Sequence, residues 1–186
     1  MTKSVIQDNN GKPLYSVGVN YWARDSGPLM WRKWNGEVVR DELRQISELD
    51  LNTVRYFLYF PDFMPEPGVI DETMIGRLLE FDSYCAEFGL YSFPSFFVGH
   101  MSGEDWDVPW RGGRSFYSDP WMLEQETFYV RRIVHVLKES DSVAGWLLSN
   151  EITNYAGDGP YPDVIAWARR MCETIKMIDP GRTVSV

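Results

Sequence analysis

Seven residues of the 186-residue chain have side chains that could do chemistry and fall at or near the ends of predicted strands: Asn20, Tyr21, Trp22, Arg55, His100, Asn150 and Glu151. A carboxylate, an amide, an imidazole and a guanidinium on one rim are parts from which an acid–base site can be built. Arg55 adds a constraint, because an inward guanidinium is costly unless carboxylates meet it. Trp22, Trp106 and Trp110 lie on strand ends or loops of the same side, and their flat faces are candidates for stacking on sugar rings. Each residue also has a plain reading: a turn-forming Asn, a solvated carboxylate, an Arg paired with a structural Asp, a ring packed under a long loop. The fold must decide between them by gathering these groups or scattering them.

The elements that would position them alternate. Val5 and Ile6 face Leu14, Tyr15 and Val17 across the turn DNNGKP, a hairpin signal. Strands are expected at Ser16 to Trp22, Asn52 to Tyr59, Leu90 to Val98 and Val143 to Ser149, with a fifth opening at Thr183. In the second strand, alternation puts Thr53, Arg55 and Phe57 on one face and Val54 and Tyr56 on the other. Helices fit Glu37 to Leu49, Asp71 to Phe88, Asp119–Pro120 to about Lys138, and Tyr161 to Ile178. Their apolar residues recur at steps of three and four. Asn35 and Asp119 are expected N-caps, and Gly89 a helix stop. Cys85 falls on a buried stripe, Cys172 lies beside one, and no disulfide is expected. Trp146 is expected to face the helix layer, and His135 to be solvated.

The three prolines of PDFMPEPG should stop strand and helix alike, and GHMSGEDWDVPWRGG should form a long loop. Pro94 removes a ladder donor from the third strand, so a bulge or bend is expected there. Asp62, Glu66, Glu104 and Asp105 sit in these loops and are assigned no catalytic part.

Strict strand–helix alternation is the signature of a parallel sheet with crossover helices. A complete TIM (β/α)8 barrel takes roughly 250 residues. The expected fold is therefore a single partial barrel domain spanning residues 1 to 186, from the first strand to the fourth helix plus the start of strand five. In such barrels the active site lies at the carboxyl ends of the strands, where the seven residues fall.

Composition narrows the function. The chain has 18 Lys+Arg against 27 Asp+Glu, a formal charge of −9, and no basic patch. Nucleic acid and anionic membrane surfaces are not expected partners. No apolar run reaches the ~20 residues of a membrane helix. MTKSVIQDNNGK has no apolar core with a small-residue cleavage site, so a signal peptide is either absent or already removed; a cytoplasmic protein is expected in the first case and a secreted one in the second. With two His and no clustered ligands, neither a metal nor another cofactor is expected.

The segments GVNYW (18 to 22), NTVRYFLYFPDFMPEPG (52 to 68), FFVGHMSG (96 to 103) and AGWLLSNE (144 to 151) resemble glycoside hydrolase family 5, in particular its endo-mannanase and cellulase-like members. The resemblance implies a retaining β-glycosidase acting on β-mannan or β-glucan through two glutamates. Glu151 matches the acid/base. Asn150 matches the residue that hydrogen-bonds the sugar 2-hydroxyl, and His100 a strand-three residue that orients substrate or catalytic groups. Asn20, Tyr21, Trp22, Arg55, Trp106 and Trp110 complete the expected substrate-binding set. The family's nucleophile comes from strand seven, and nothing in residues 1 to 186 matches it. The chain alone is thus expected to be inactive, and the oligo- or polysaccharide to be bound by a half site. The alternative is a non-catalytic carbohydrate-binding or half-barrel assembly module that self-associates through open sheet edges.

Overall fold

The structure, a computed structural model, describes residues 6–7, 11–151 and 159–186. Along the chain come β1 (Gly18–Asn20), α1 (Gly36–Glu48), β2 (Thr53–Phe57), α2 (Phe60–Phe63), α3 (Glu72–Glu87), β3 (Tyr91–Val98), β4 (His100–Met101), β5 (Glu104–Asp105), α4 (Pro120–Leu137), β6 (Gly145–Asn150), α5 (Tyr161–Ile178) and β7 (Thr183–Ser185). β1, β2, β3, β6 and β7 make one parallel sheet in that order, without the reversal of a doubly wound sheet. This is the wall of a (β/α)8 barrel laid open after its fifth strand.

The strands form where apolar alternation can be buried on the helix side. Val54 and Tyr56 are fully buried there, with Tyr56 packed on Phe81 of α3. Val39 and Leu43 of α1 and Leu78, Phe81 and Cys85 of α3 supply the facing stripes. Gly18 lets β1 close on β2, since a Cβ there would lie 1.8 Å from the Thr53 carbonyl oxygen. α1 and α4 start at side-chain caps, with Asn35 accepting from the Val38 N–H and Asp119 from the Met122 N–H at 3.0 Å. α3 is followed by Gly89 at a φ of 67°. The two arms of the expected hairpin pair in the described part, where Gln7 bridges Pro13 and the Leu14 N–H donates to the Ile6 carbonyl; Val5 and the turn residues 8–10 lie outside the described residues.

Two loop expectations are corrected. Phe60–Phe63 forms one helical turn despite the prolines, because Pro61 stands in its first turn, where no N–H is needed. The segment after β3 folds back as the antiparallel pair β4 and β5, turned by Ser102 and Gly103, both at positive φ.

Pro94 leaves β3 unbroken against β2, where the register runs evenly from Thr53↔Tyr91 to Phe57↔Ser95. The disturbance falls on the other neighbour. Ser92 pairs with Val143 but Ser95 with Leu147, so three steps on β3 face four on β6. Ser92 bonds to the β6 side, and by alternation the missing N–H of Pro94 faces that side too. The expected bulge thus exists, carried by the partner strand.

At the far end, Trp146 turns to the helix layer, stacks on Phe96 and donates to Asp179 Oδ2 at 2.9 Å. Asp179 also takes Arg182 at 2.8 Å, and Arg182 donates to the carbonyls of Lys138, Ser140 and Val143. One ion pair therefore fastens the end of α4, the start of β6, the end of α5 and the approach to β7. Both cysteines are free thiols, and burial pushes that of Cys85 well up. Among the described residues no helix is long and apolar enough to cross a membrane.

Candidate active site

Arg55 projects from β2 onto the inner face of the sheet, as alternation requires. Its Nε donates to Ser95 Oγ at 2.9 Å, and its Nη2 to the Ser149 carbonyl at 3.3 Å and Asn150 Oδ1 at 3.1 Å. The guanidinium lies 4.9 Å from the centre of the Phe57 ring. Burial lowers its pKa, but a guanidinium stays charged. The carboxylate expected to meet it is missing: among the described residues Arg55 makes no ion pair, and neutral oxygens serve instead.

Those bonds fix Asn150 at both ends. Its oxygen accepts from Arg55 and its nitrogen donates to the His100 carbonyl at 3.2 Å. An amide nitrogen carries two hydrogens, so one is left to point elsewhere. Asn150 and Glu151 share a hollow of about 260 Å³ with Asn20, Trp22, Phe57, Met101 and Ser102. Glu151 is exposed and holds a φ of 50°. That left-handed conformation costs a non-glycine residue about 1 kcal/mol and turns the chain abruptly off the end of β6.

A second opening of about 340 Å³ on the inner face reaches Asn20 from below, past Gly18, Thr53, Arg55, Phe93 and Leu147. Asn20 is common to both.

The expected site residues therefore divide. Asn20, Trp22, Asn150 and Glu151 meet in one hollow, with Arg55 behind Asn150. Trp22 is 40% exposed and tilts against Phe57, a ring available to a ligand.

Tyr21 does not join them. Being one residue out of phase with Asn20, it is buried in the helix layer against Phe81, and its hydroxyl donates to Glu42 Oε2 at 2.8 Å. Burial and that carboxylate drive its pKa far up. Trp106 is 7% exposed beneath the small hairpin, 4.2 Å from the Tyr59 ring, with its N–H on the Met101 carbonyl. Trp110 packs edge-on between Phe60 and Trp121 and donates to the Met64 carbonyl. Both are loop-packing rings here. His100 contributes its backbone, while its Nδ1 is 2.8 Å from Asp105 Oδ1 on the adjacent strand.

Sequence reasoning missed Met101 and Ser102, which wall the hollow from the β4–β5 turn. The Ser-Gly pair between HM and ED was the available signal. Asp62, read as a loop carboxylate with no catalytic part, is instead buried on α2 and held by Arg32 at 2.6 Å; burial raises its pKa, with Arg32 opposing. No group of three or more His, Cys, Asp or Glu among the described residues could hold a metal ion.

Neither a protein-family model nor a curated protein sequence matches the chain. Solved structures do. An exo-β-1,4-mannosidase, Op5Man5, from Opitutaceae bacterium strain TAV5 is 34% identical, with a TM-score of 0.93 over 99% of this chain and 33% of that one. A GH5_18 variant from Streptomyces cattleya in complex with Manβ1-4GlcNAc is 24% identical, with a TM-score of 0.82 over 90% of this chain and 43% of that one. Endo-glycoceramidase II from Rhodococcus sp. is 18% identical, with a TM-score of 0.78 over 97% of this chain and 50% of that one. The last two support the fold alone. The chain spans a third to a half of the length of these relatives.

Proposed function

From a chain that carries the first strands of the glycoside hydrolase family 5 barrel, we propose that it supplies the acid/base half of a retaining β-glycosidase directed at β-mannosides. Glu151 protonates the departing glycosidic oxygen and then deprotonates the incoming water. Asn150 gives its remaining amide hydrogen to the sugar 2-hydroxyl, Arg55 holds it in that pose, and Trp22 lies under the ring. The nucleophile, a second carboxylate about 5 to 5.5 Å from the first, comes from a strand outside residues 1 to 186. The observation that carries this reading is the Arg55–Asn150 bond at the wall of a hollow that Trp22 and Glu151 share. The 34% identical relative is named an exo-mannosidase, which favours exo action on β-mannosides over the endo-mannanase or cellulase type expected from the motifs.

The test joins this chain to a C-terminal half barrel bearing a strand-seven glutamate. Aryl β-mannosides should be cleaved faster than aryl β-glucosides. Glu151→Gln should cut turnover of mannosides with poor leaving groups by roughly 10²- to 10⁴-fold. Azide should restore turnover of an activated aryl mannoside, giving a glycosyl azide of retained configuration. Undiminished turnover in Glu151→Gln would remove Glu151 from the mechanism. The 186-residue chain alone should be inert, and Glu151-dependent turnover by it would falsify the external nucleophile.

A second reading, a carbohydrate-binding half barrel that pairs with a copy of itself, is favoured by the edges. Val17, just before β1, and Val19 within it are 59% and 38% exposed, and β7 ends the sheet on the other side. A monodisperse dimer by light scattering would support it, and heterogeneous aggregation would not.

A further inference from the structure

Glu126 lies on α4 with no exposed surface, facing α5. Its Oε2 accepts from the Trp167 indole N–H at 2.7 Å, whereas its Oε1 has no hydrogen-bond partner among the described residues. Trp167, equally buried, packs on Phe97 of β3 and on Phe116 and Tyr117 of the loop before α4. Tyr117 in turn lies against Gly159, where a Cβ would come within 2.7 Å of its ring. Gly159 is the backbone that follows the Glu151 segment and leads into α5. A line of contacts thus runs from a buried carboxyl through two aromatic rings to Gly159, at the entry to α5.

An ionised carboxylate in that position would be fully buried, with one oxygen unpaired among the described residues, a costly arrangement. The charged groups facing it are Arg170 from α5 and Arg111 and Asp107 from the preceding loop, and the latter two are paired with each other. Arg170 donates to Thr127 Oγ1. Burial raises the Glu126 pKa well above the usual carboxylate range, opposed by the Trp167 bond and the two arginines.

We propose that Glu126 is a positioning residue: a neutral carboxylic acid wedged between α4 and α5 that, through Trp167 and Tyr117, fixes where the chain returns after Glu151. The consequence for catalysis rests on the reading of Glu151 given above, but the test needs no turnover. A carboxyl whose folded pKa is raised contributes stability in full below its unfolded pKa of about 4.3, and loses it as pH rises toward the folded pKa. Glu126→Gln keeps the shape and the acceptor for Trp167 and cannot ionise. It should therefore melt close to the parent chain at pH 4 and progressively above it toward pH 8. A Gln variant that falls progressively below the parent as pH rises, or keeps a constant offset, overturns the neutral acid.

The positioning role is read by amide hydrogen exchange in peptides covering Glu151 and Gly159. Glu126→Ala should speed exchange there by roughly tenfold or more, and Glu126→Gln should restore it. Should the Ala variant not fold, Trp167→Phe, which keeps a ring and removes the donor, should show the same local gain. Unchanged exchange in those peptides in the folded variant overturns the positioning role, whatever becomes of the proposed activity.

Discussion

Replacing Asp179 by Asn probes how the four elements at the bottom of the sheet are held together. Three donors converge on its two oxygens: the Trp146 N–H at 2.9 Å, Arg182 Nη1 at 2.8 Å and the Arg182 backbone N–H at 3.3 Å. An Asn has one oxygen, so its amide nitrogen must face a donor, and the Arg182 charge loses its counterion in a nearly closed setting. Breaking a buried pair costs about 3–5 kcal/mol, and since Arg182 keeps its carbonyl contacts, about 3 kcal/mol is expected. At roughly 2–4 °C per kcal/mol for a chain of this size, the melting temperature should drop by about 6–12 °C at neutral pH. The pH dependence gives an internal check. Burial would raise the Asp179 pKa, but Arg182 and Trp146 together bring it below its ordinary value. A depressed folded pKa means stability present above the unfolded value of about 3.9 and lost as pH falls through the folded pKa. The gap between parent and variant, followed by circular dichroism melts from pH 7 to pH 2.5, should therefore shrink in acid. A gap under 2 °C at pH 7, or one of constant size down to pH 2.5, would refute the reasoning.

Other outcomes follow from where the rings and the guanidinium lie. Trp22→Ala should leave the melting temperature within about 2 °C and weaken binding of a β-mannoside in the joined barrel by roughly tenfold, read by calorimetric titration. Trp106→Ala should do the reverse in the folded state, costing about 3–5 kcal/mol in a denaturant titration through the cavity left beside Tyr59. Arg55→Lys keeps the charge but loses the planar fork, so Ser95, Ser149 and Asn150 cannot all be served; a loss of about 1–3 kcal/mol is expected, with faster exchange of the Asn150 side-chain amide by NMR. Equal behaviour of Lys and Arg at that position would count against the role given to the fork.

Periodicity and caps were enough to read the barrel units, because α1, α3, α4 and α5 each bury one stripe and the first three begin at an Asn or Asp that caps them. The site was legible where it depended on strand ends and alternation, as with Arg55 on the inner face and Asn150 next to Glu151. It was misread where one residue of phase decides the face: Tyr21 follows Asn20 and must point the other way. Trp106 and Trp110 were ambiguous because burial of a loop ring depends on what folds over it. That covering piece, the β4–β5 pair, is only two residues per strand and gives no periodic signal. The partners of Arg55 were not legible either, since Ser95 and Ser149 come from strands 40 and 94 positions away.

The extra residue that β6 fits in opposite Pro94 acts as a change of parity. Were the lower pairing of Ser92 with Val143 continued without it, Trp146 rather than Leu147 would stand beside Ser95 and share its inward face. The indole would then occupy the barrel interior and leave Asp179, and Asn150 would stand one rise, about 3.3 Å, further along, past Val98. Asn150 would be out of phase with the Arg55 fork. A single ring closure in the middle of one strand thus indexes the next, and with it both the face and the height at which the candidate acid emerges.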